Sequence, residues 1–580
     1  MRTHPRLLLG LAAVAVAFAA ADTYVVVLAL PDMMTSAGLS VEELQRAAPV
    51  ITGFLLGSVA VHPLNGRIAD LRGRLPVLIG SLAIFAVGSV VTAAAYDLPS
   101  MVTGRLLQGI GGGGLVPATL ALVADLYPAQ RRGVPLGVVG AVQELGSVLG
   151  PLYGALVLAW GDWRDIFWLN LAVGLILISA LRAAQARQEP PSGRGRIRGP
   201  DPVGLLLLVL ALVAVVLVMQ PPDALATDVT WGLAFVPLVG ESRWLAPLGL
   251  AAAGLAVLLA LRCAFAAHPL VDPRRWREVA ARIDLLSAAL LSVSLGGVVL
   301  AFATAEPERQ AMSDQAPWFL GVSAVAAAWF ALRNRTSDHP LVPAGALRRR
   351  PAWGALVVSF FVGAALIAAI VDIPLFARLT VDTDDQVGAA FVLVRFLVAL
   401  PVGALVGGWL SQRVPAAVLT AAAMALAGGG FVAMSRWDSA SLEGVGAWVV
   451  LVLTGFGFGL ALAPVNAALL ACTDDDVHGV ASALLVVARM VGMLVGISVL
   501  TTLGLRRFYA EQSDLPSPFE VCGQGVSRCA EFTDLVQQAG IAQLQTVFAC
   551  AAGASALAAV AALVVLRGAP TSRASLPLLA

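Results

Sequence analysis

The sequence predicts an all-α polytopic membrane protein, and three observations lead there. Of 580 residues, 59% are apolar and only 13% are charged, about half the charged share of an ordinary soluble domain. The mean hydropathy is +0.87. Sixteen separate apolar runs lie near or above the roughly 20 residues that cross a hydrocarbon core. A water-soluble fold of this size cannot hide that much apolar surface, which excludes a soluble enzyme, a secreted binder and a nucleic-acid protein. The net charge of +1 offers no field to steer a polyanion. All 37 basic residues are arginine.

The first run, 7–31, follows Arg2 and Arg6 and contains Ala19-Ala20-Ala21, the outline of a cleavable signal peptide. It continues past Asp22 through Tyr24–Leu30, so it reads as a retained span with one acidic residue inside. Runs 47–65, 76–96, 100–124, 134–159 and 166–183 complete a first block of six over residues 1–183. The stretch EPPSGRGRIRGPDP then marks residues 184–202 as a flexible basic linker. Four runs follow within 203–352: 203–219, 246–266, 283–304 and 317–332. They read as one hairpin written twice. Asp201 opens the first copy and Asp284 the second, and each closes on His-Pro-Leu-Val (from His268 and from His339) before an arginine cluster. Runs 353–376, 387–410, 415–435, 446–470, 479–504 and 541–566 form the last block, 353–580, with a long loop at 506–540. The plan is 6 + 4 + 6; the alternative is 6 + 2 + 6, with one pair lying on the membrane surface. The runs are too long for strands and lack the alternation of an outer-membrane barrel.

Orientation follows the arginines. With the N-terminus inside, the inner loops hold 25 arginines and the outer loops nine, while Arg105, Arg395 and Arg489 fall inside spans. The expectation is a multi-pass protein of the inner membrane with both termini cytoplasmic. Two blocks of six around a basic middle suggest a transporter built from repeats about a midplane site.

Three motifs carry more. After the second span comes Gly66-Arg67-Ile68-Ala69-Asp70-Leu71-Arg72-Gly73-Arg74. Gly66 and Gly73 permit a tight turn, and Asp70 among Arg67, Arg72 and Arg74 suits a gate that holds two helix ends in one state and frees them in another. In the fourth span, Arg105 and Gln108 lie one turn apart on one face, ahead of Gly111–Gly114. An arginine there is expensive unless it meets a partner or water. In the fifth span, Gly146, Gly150 and Gly154 recur every four residues, Pro151 bends the helix, and Glu144 stands just before them.

On these motifs the chain resembles the major facilitator superfamily, in its 14-spanner drug–proton antiporter branch. Longer runs resemble actinobacterial exporters of triacylglycerides and drugs that work with a lipid-carrying lipoprotein: Asp22–Val27, Gln143–Gly154, Asp162–Asp165 and Val487–Met490. The resemblance leaves out 274–347, the second middle hairpin. It implies two six-helix bundles rocking about a central cavity. It also implies cavity positions for Asp22, Arg105, Glu144, Asp372, Arg395 and Arg489. Of these, Asp22 and Glu144 are the candidate proton-titrating carboxylates, with Arg105 and Arg489 holding their charged forms. The second block's copy of the inner loop, Gly407–Arg413, lacks the aspartate, so a weaker lock is expected there.

The expected activity is proton-coupled export of apolar or amphipathic cargo, lipids and hydrophobic drugs, because the cavity helices offer few polar handles. The alternative is a dedicated multidrug–proton antiporter with no lipid role. Expected partners are membrane lipids, protons and a periplasmic lipoprotein, with the chain acting as a monomer and not as an enzyme. Cys522 and Cys529 lie on the oxidising side and are placed to pair. No metal or cofactor is expected: His4, His62, His268, His339 and His478 are scattered, and no Lys-Ser/Thr follows the glycine run.

Overall fold

The structure, a computed structural model, describes residues 5–39, 44–186, 201–266, 269–270, 272–303, 315–343, 346–380, 386–513, 515–522 and 529–571. Most of the basic linker, and His268 and Val271 of the first His-Pro-Leu-Val, lie outside the described residues. Among those described there is no β-strand, and sixteen helices are 18 residues or longer. They are α1 (Pro5–Ser36), α2 (Leu44–Arg72), α3 (Arg74–Ala93), α4 (Leu98–Leu126), α5 (Gly133–Trp160), α6 (Trp163–Ala186), α7 (Pro202–Met219) and α8 (Pro247–Phe265). The rest are α9 (Leu285–Ala303), α10 (Ala316–Thr336), α11 (Arg350–Thr380), α12 (Gln386–Leu410), α13 (Ala416–Met434), α14 (Val445–Ala471), α15 (His478–Ser513) and α16 (Ala530–Val565). Fifteen are long and apolar enough to cross a membrane. The exception is α2, whose second half is interrupted by His62, Asn65, Arg67, Asp70 and Arg72.

Helices α1–α6 pack as one bundle and α11–α16 as another, each around its own buried apolar cores. Both bundles use the same device to bring two helices close. Gly146 and Gly150 of α5 lie against the backbone of α1 at Ala17 and Ala21, where any Cβ would collide. Gly492 and Gly496 of α15 lie in the same way against Phe360 and Ala364 of α11. Small residues four apart thus replace side-chain interdigitation by backbone approach, as expected in lipid, where apolar burial gives no driving force between helices.

The four middle helices form two antiparallel hairpins, α7–α8 and α9–α10, and they share one clasp. Asp201 caps α7 through the Gly204 N–H (2.9 Å) and accepts from Arg262 of α8 at 3.1 Å. Asp284 caps α9 through the Ser287 N–H (3.1 Å) and pairs with Arg333 of α10 at 2.8 Å. Their seats differ: α7 touches α3, whereas α9 packs on α2 and α15, one helix from each bundle.

The loops that join the helices sort onto two faces. The one bearing the starts of α1, α3 and α5 carries the arginine clusters and is called here the arginine-rich face. At the opposite, far face, α15 and α16 (36 residues each) pack side by side with Gly504 against Gln543 and Val547. At 1.5 Å per residue each runs about 54 Å against a hydrocarbon core of about 30 Å. A disulfide joins Cys522 and Cys529 between them.

The clasp yields a stability prediction. Asp284→Ala removes a helix cap worth about 1 kcal/mol; the pair adds little, because Arg333 is part-exposed. Thermal unfolding in detergent is expected to shift down for Asp284→Ala and by a similar amount for Asp201→Ala. No shift in either would remove the clasp as a structural feature.

Candidate functional site

The charged residues of the first bundle form one buried network. Arg105 of α4 meets Asp22 of α1 at 2.6 Å, and both are 1% exposed. The same nitrogen of Arg105 donates to Gln108 Oε1 at 2.9 Å, and Gln108 in turn donates to Ser89 of α3 at 3.0 Å. Asn170 of α6 donates to the other carboxylate oxygen of Asp22. The guanidinium lies over the Phe54 ring of α2, 4.6 Å from its centre. Five helices therefore converge on one ion pair, which a low-dielectric interior tolerates only when both charges are matched. Asn170 was not foreseen; its signal is an amide inside an otherwise apolar span.

Between the bundles lies a narrow cleft. Its walls are mostly Val, Leu and Ala from α4, α5, α14 and α15, and its polar groups are Gln143, Ser359, Asn466 and Arg489. Arg489 makes no ion pair or hydrogen bond with the described residues. Its charge reaches Glu144 of α5 and His62 of α2. His62 is buried, bonded to the Ser58 carbonyl and set against Gly113. As one of five scattered histidines it carries little local signal, because Gly113 and the Arg489 charge come from other helices.

The other expected cavity charges stand elsewhere. Asp22 and Arg105 are inside the first bundle and do not line the cleft, because each satisfies the other there. Glu144 is half-buried near the cleft without a direct pair to Arg489. Asp372 is buried in α11 and lines no part of the cleft. Arg395 is not a cleft residue either, because its guanidinium stacks 3.5 Å from the Trp448 ring centre.

The cleft is sealed towards the arginine-rich face. Beneath it an apolar cluster from both bundles, including Leu120, Val123, Ala463, Ala467 and Leu470, fills the space. Beside it, Gly66 of α2 meets Gly479 of α15 backbone to backbone. Asp70 accepts the Gly479 N–H at 2.7 Å and the Val480 N–H at 3.0 Å, so it caps α15 from the opposite bundle. Arg74 pairs with Asp70 (3.2 Å) and Asp125 (3.3 Å) and donates to the Asp475 carbonyl at 2.9 Å. Gly73, at φ 95°, makes the turn that lets Arg74 fold back. Arg72 lies in the same turn. The unforeseen member is Arg132, which donates to carbonyls of Ala124 and Leu470 and so ties α4 to α14. On the other side α5 and α12 meet through Gly133, Gly137 and Gly408. Arg413 stacks on Trp409 there instead of bridging the bundles.

This arrangement is a transporter fold. The human organic anion transporter MFSD10 aligns with a TM-score of 0.54 at 13% identity, covering 96% of this chain and 99% of that one. The proton:xylose symporter XylE aligns with a TM-score of 0.50 at 14% identity, covering 96% and 94%. At those identities the likeness concerns the fold alone. The family model of the Major Facilitator Superfamily matches residues 12–320 and 312–497, and the chain belongs to that superfamily of membrane transporters. The triacylglyceride transporter of Mycolicibacterium hassiacum is 34% identical over 578 residues, covering 96% of this chain and 91% of that relative. The triacylglyceride transporter of Mycobacteroides abscessus is 35% identical over 516 residues, covering 87% and 84%.

Two outcomes follow from the geometry. Arg105→Leu strands the Asp22 charge and is expected to cost ~3–5 kcal/mol. The double variant Arg105→Leu/Asp22→Leu is expected to recover most of that loss in detergent unfolding, and a double variant as unstable as the single would refute the pairing. The second outcome concerns Asp70, at the arginine-rich end of α2. Burial raises its carboxyl to about 6, against the pull of Val480, Arg74 and Gly479. A raised value favours the sealed state below the free value of about 3.9, and that contribution is lost as pH climbs through about 6. Spin-label distances between α2 and α15 at this face are expected to show the sealed fraction falling over that window. Asp70→Asn is expected to flatten the dependence.

Proposed function

We propose that this protein exports apolar or amphipathic cargo, triacylglycerol-like lipids and hydrophobic drugs, from the inner membrane towards the periplasm by proton-coupled alternating access. The observation that carries the reading is the cleft itself: apolar walls from both bundles, one arginine, and a seal on the arginine-rich side. An apolar wall suits acyl chains and aromatic drugs, whereas sugars and amino acids require many convergent hydrogen bonds. The relatives named as triacylglyceride transporters support the lipid over other apolar cargo. In this reading the arginine-rich face is cytoplasmic, both termini lie there, and the described conformation faces outward.

Protons reach Glu144 and Asp22 in turn. Neutralising Glu144 releases Arg489 from its field, and neutralising Asp22 weakens its bond to Arg105, which loosens α1 from α4. A potential of ~100 mV adds about 2.3 kcal/mol per inward proton charge to the cycle. The seal formed by Gly66, Asp70, Gly73 and Arg74 then opens and closes as the bundles rock, while the stripe Gly146, Gly150, Pro151 and Gly154 keeps α5 on α1 as one body. The parts of α15 and α16 that exceed a membrane's thickness, tied by the Cys522–Cys529 disulfide, offer a periplasmic ramp for a lipid-carrying lipoprotein. The chain works as a monomer and uses no cofactor.

The test is neutral-lipid transfer between proteoliposomes and acceptor vesicles, with and without a pH gradient. Transfer is expected to rise with the gradient in the wild type. It is expected to fall to background in Asp22→Asn and Arg489→Ala, with membrane insertion retained. Full transfer in Asp22→Asn would remove that residue from coupling. Drug-driven proton release with no lipid transfer would instead establish the dedicated multidrug antiporter.

A further inference from the structure

We infer that the α9–α10 hairpin is a lateral seal over one of the two seams between the bundles, so that lipid cargo enters the cleft from the membrane through the other seam alone. The inference rests on the lipid-transport reading above. The bundles meet along two seams, α2 beside α15 and α5 beside α12. Helix α9 lies over the first. Val299 is fully buried between Val59 of α2 and Val487 of α15, with Leu56 and Leu494 flanking it.

The two sides of this contact differ in kind. On α2, the Ser292 hydroxyl donates to the Ala60 carbonyl at 2.6 Å, and Gly296 sits tightly on Leu56. Nearer the arginine-rich face, Ile283 and Ala288 pack with Leu64 and Ile68. On α15, the contacts described are apolar side chains. A hydrogen bond has a direction and a partner, whereas apolar contact has neither. The described hydrogen bond anchors the hairpin to the first bundle. The hairpin rides with α2 when the bundles rock, and the seam stays covered in both states.

Among the described residues, the second seam has no such cover from either hairpin, because α7 lies against α3 and α9 against α2 and α15. Here α5 and α12 touch through glycines at the arginine-rich end. Farther along, Leu149, Leu152 and Leu156 of α5 and Val398 of α12 are exposed, each by 46% or more. A neutral lipid that moves from the bilayer into the cleft without crossing water needs an apolar opening. Among the described residues, the α5–α12 seam is the one left uncovered.

The experiment uses the full-length protein in liposomes with a photoactivatable triacylglycerol carrying a diazirine in one acyl chain, its adducts mapped by mass spectrometry. Adducts are expected in the cleft and on the α5 and α12 seam residues, with background yield on Leu56, Val59, Val487 and Leu494. Two variants that loosen the anchor, Ser292→Val and Gly296→Leu, are expected to raise adducts at those four positions, and either one that folds suffices. Equal labelling of both seams in the wild type overturns the inference, as does an unchanged pattern in a folded variant. Adduct mapping needs no turnover, so an absence of lipid transfer would sink the transport reading while the seam pattern still answers this one.

Discussion

Two chains of backbone contact hold the bundles together, Gly66 on Gly479 and Gly133 with Gly137 on Gly408. Everything else about the site depends on them. With no Cβ in the way, the helices approach closely enough for Asp70 to reach the first amides of α15 across the gap. Those amides are the unsatisfied donors of a helix start and carry its positive end, so one carboxylate satisfies two of them and complements the dipole. The seal is polar at its edge and apolar in its middle, and the cleft lies above it.

The lipid environment explains where the charges went. A carboxylate or guanidinium facing hydrocarbon is costly, so the first bundle turns Asp22 and Arg105 inward and surrounds them with Gln108, Asn170 and the face of Phe54. Arg395 meets the same constraint with an aromatic ring. Arg489 meets it with neither and stands in the cleft, where a wet or polar surrounding is the remaining way to accommodate it. The contrast separates a charge paired inside a bundle from one that stands in the cleft.

The middle hairpins show how one unit can take two seats. Both keep an aspartate that caps the first helix and grips an arginine of the second. That clasp is internal, so each hairpin carries its own geometry wherever it lies. What differs is the outer surface. Ser292, Gly296 and Val299 make α9 a fit for the α2–α15 seam, whereas α7 presents a nearly unbroken run of Leu and Val and touches little beyond its partner helix.

Much of this was legible in the residues alone. Hydropathy is a local property, so the long helices, and the places of Asp22, Arg105, Glu144 and Arg489 within them, follow from composition within short windows. The turn at Gly73 and the glycine stripe of α5 were legible for the same reason. Pairing was not. Asp22 and Arg105 are 83 positions apart and Asp70 is 409 from Gly479, and nothing local says which way each helix is rotated. Packing decides that rotation, because one turn of a helix moves a side chain from cleft to core without changing its hydropathy. The tertiary structure alone therefore decided that Asp22 pairs inside a bundle, that Arg489 faces the cleft, that Asn170 bonds Asp22 and His62 lies against Gly113, and that the second hairpin lies across a seam.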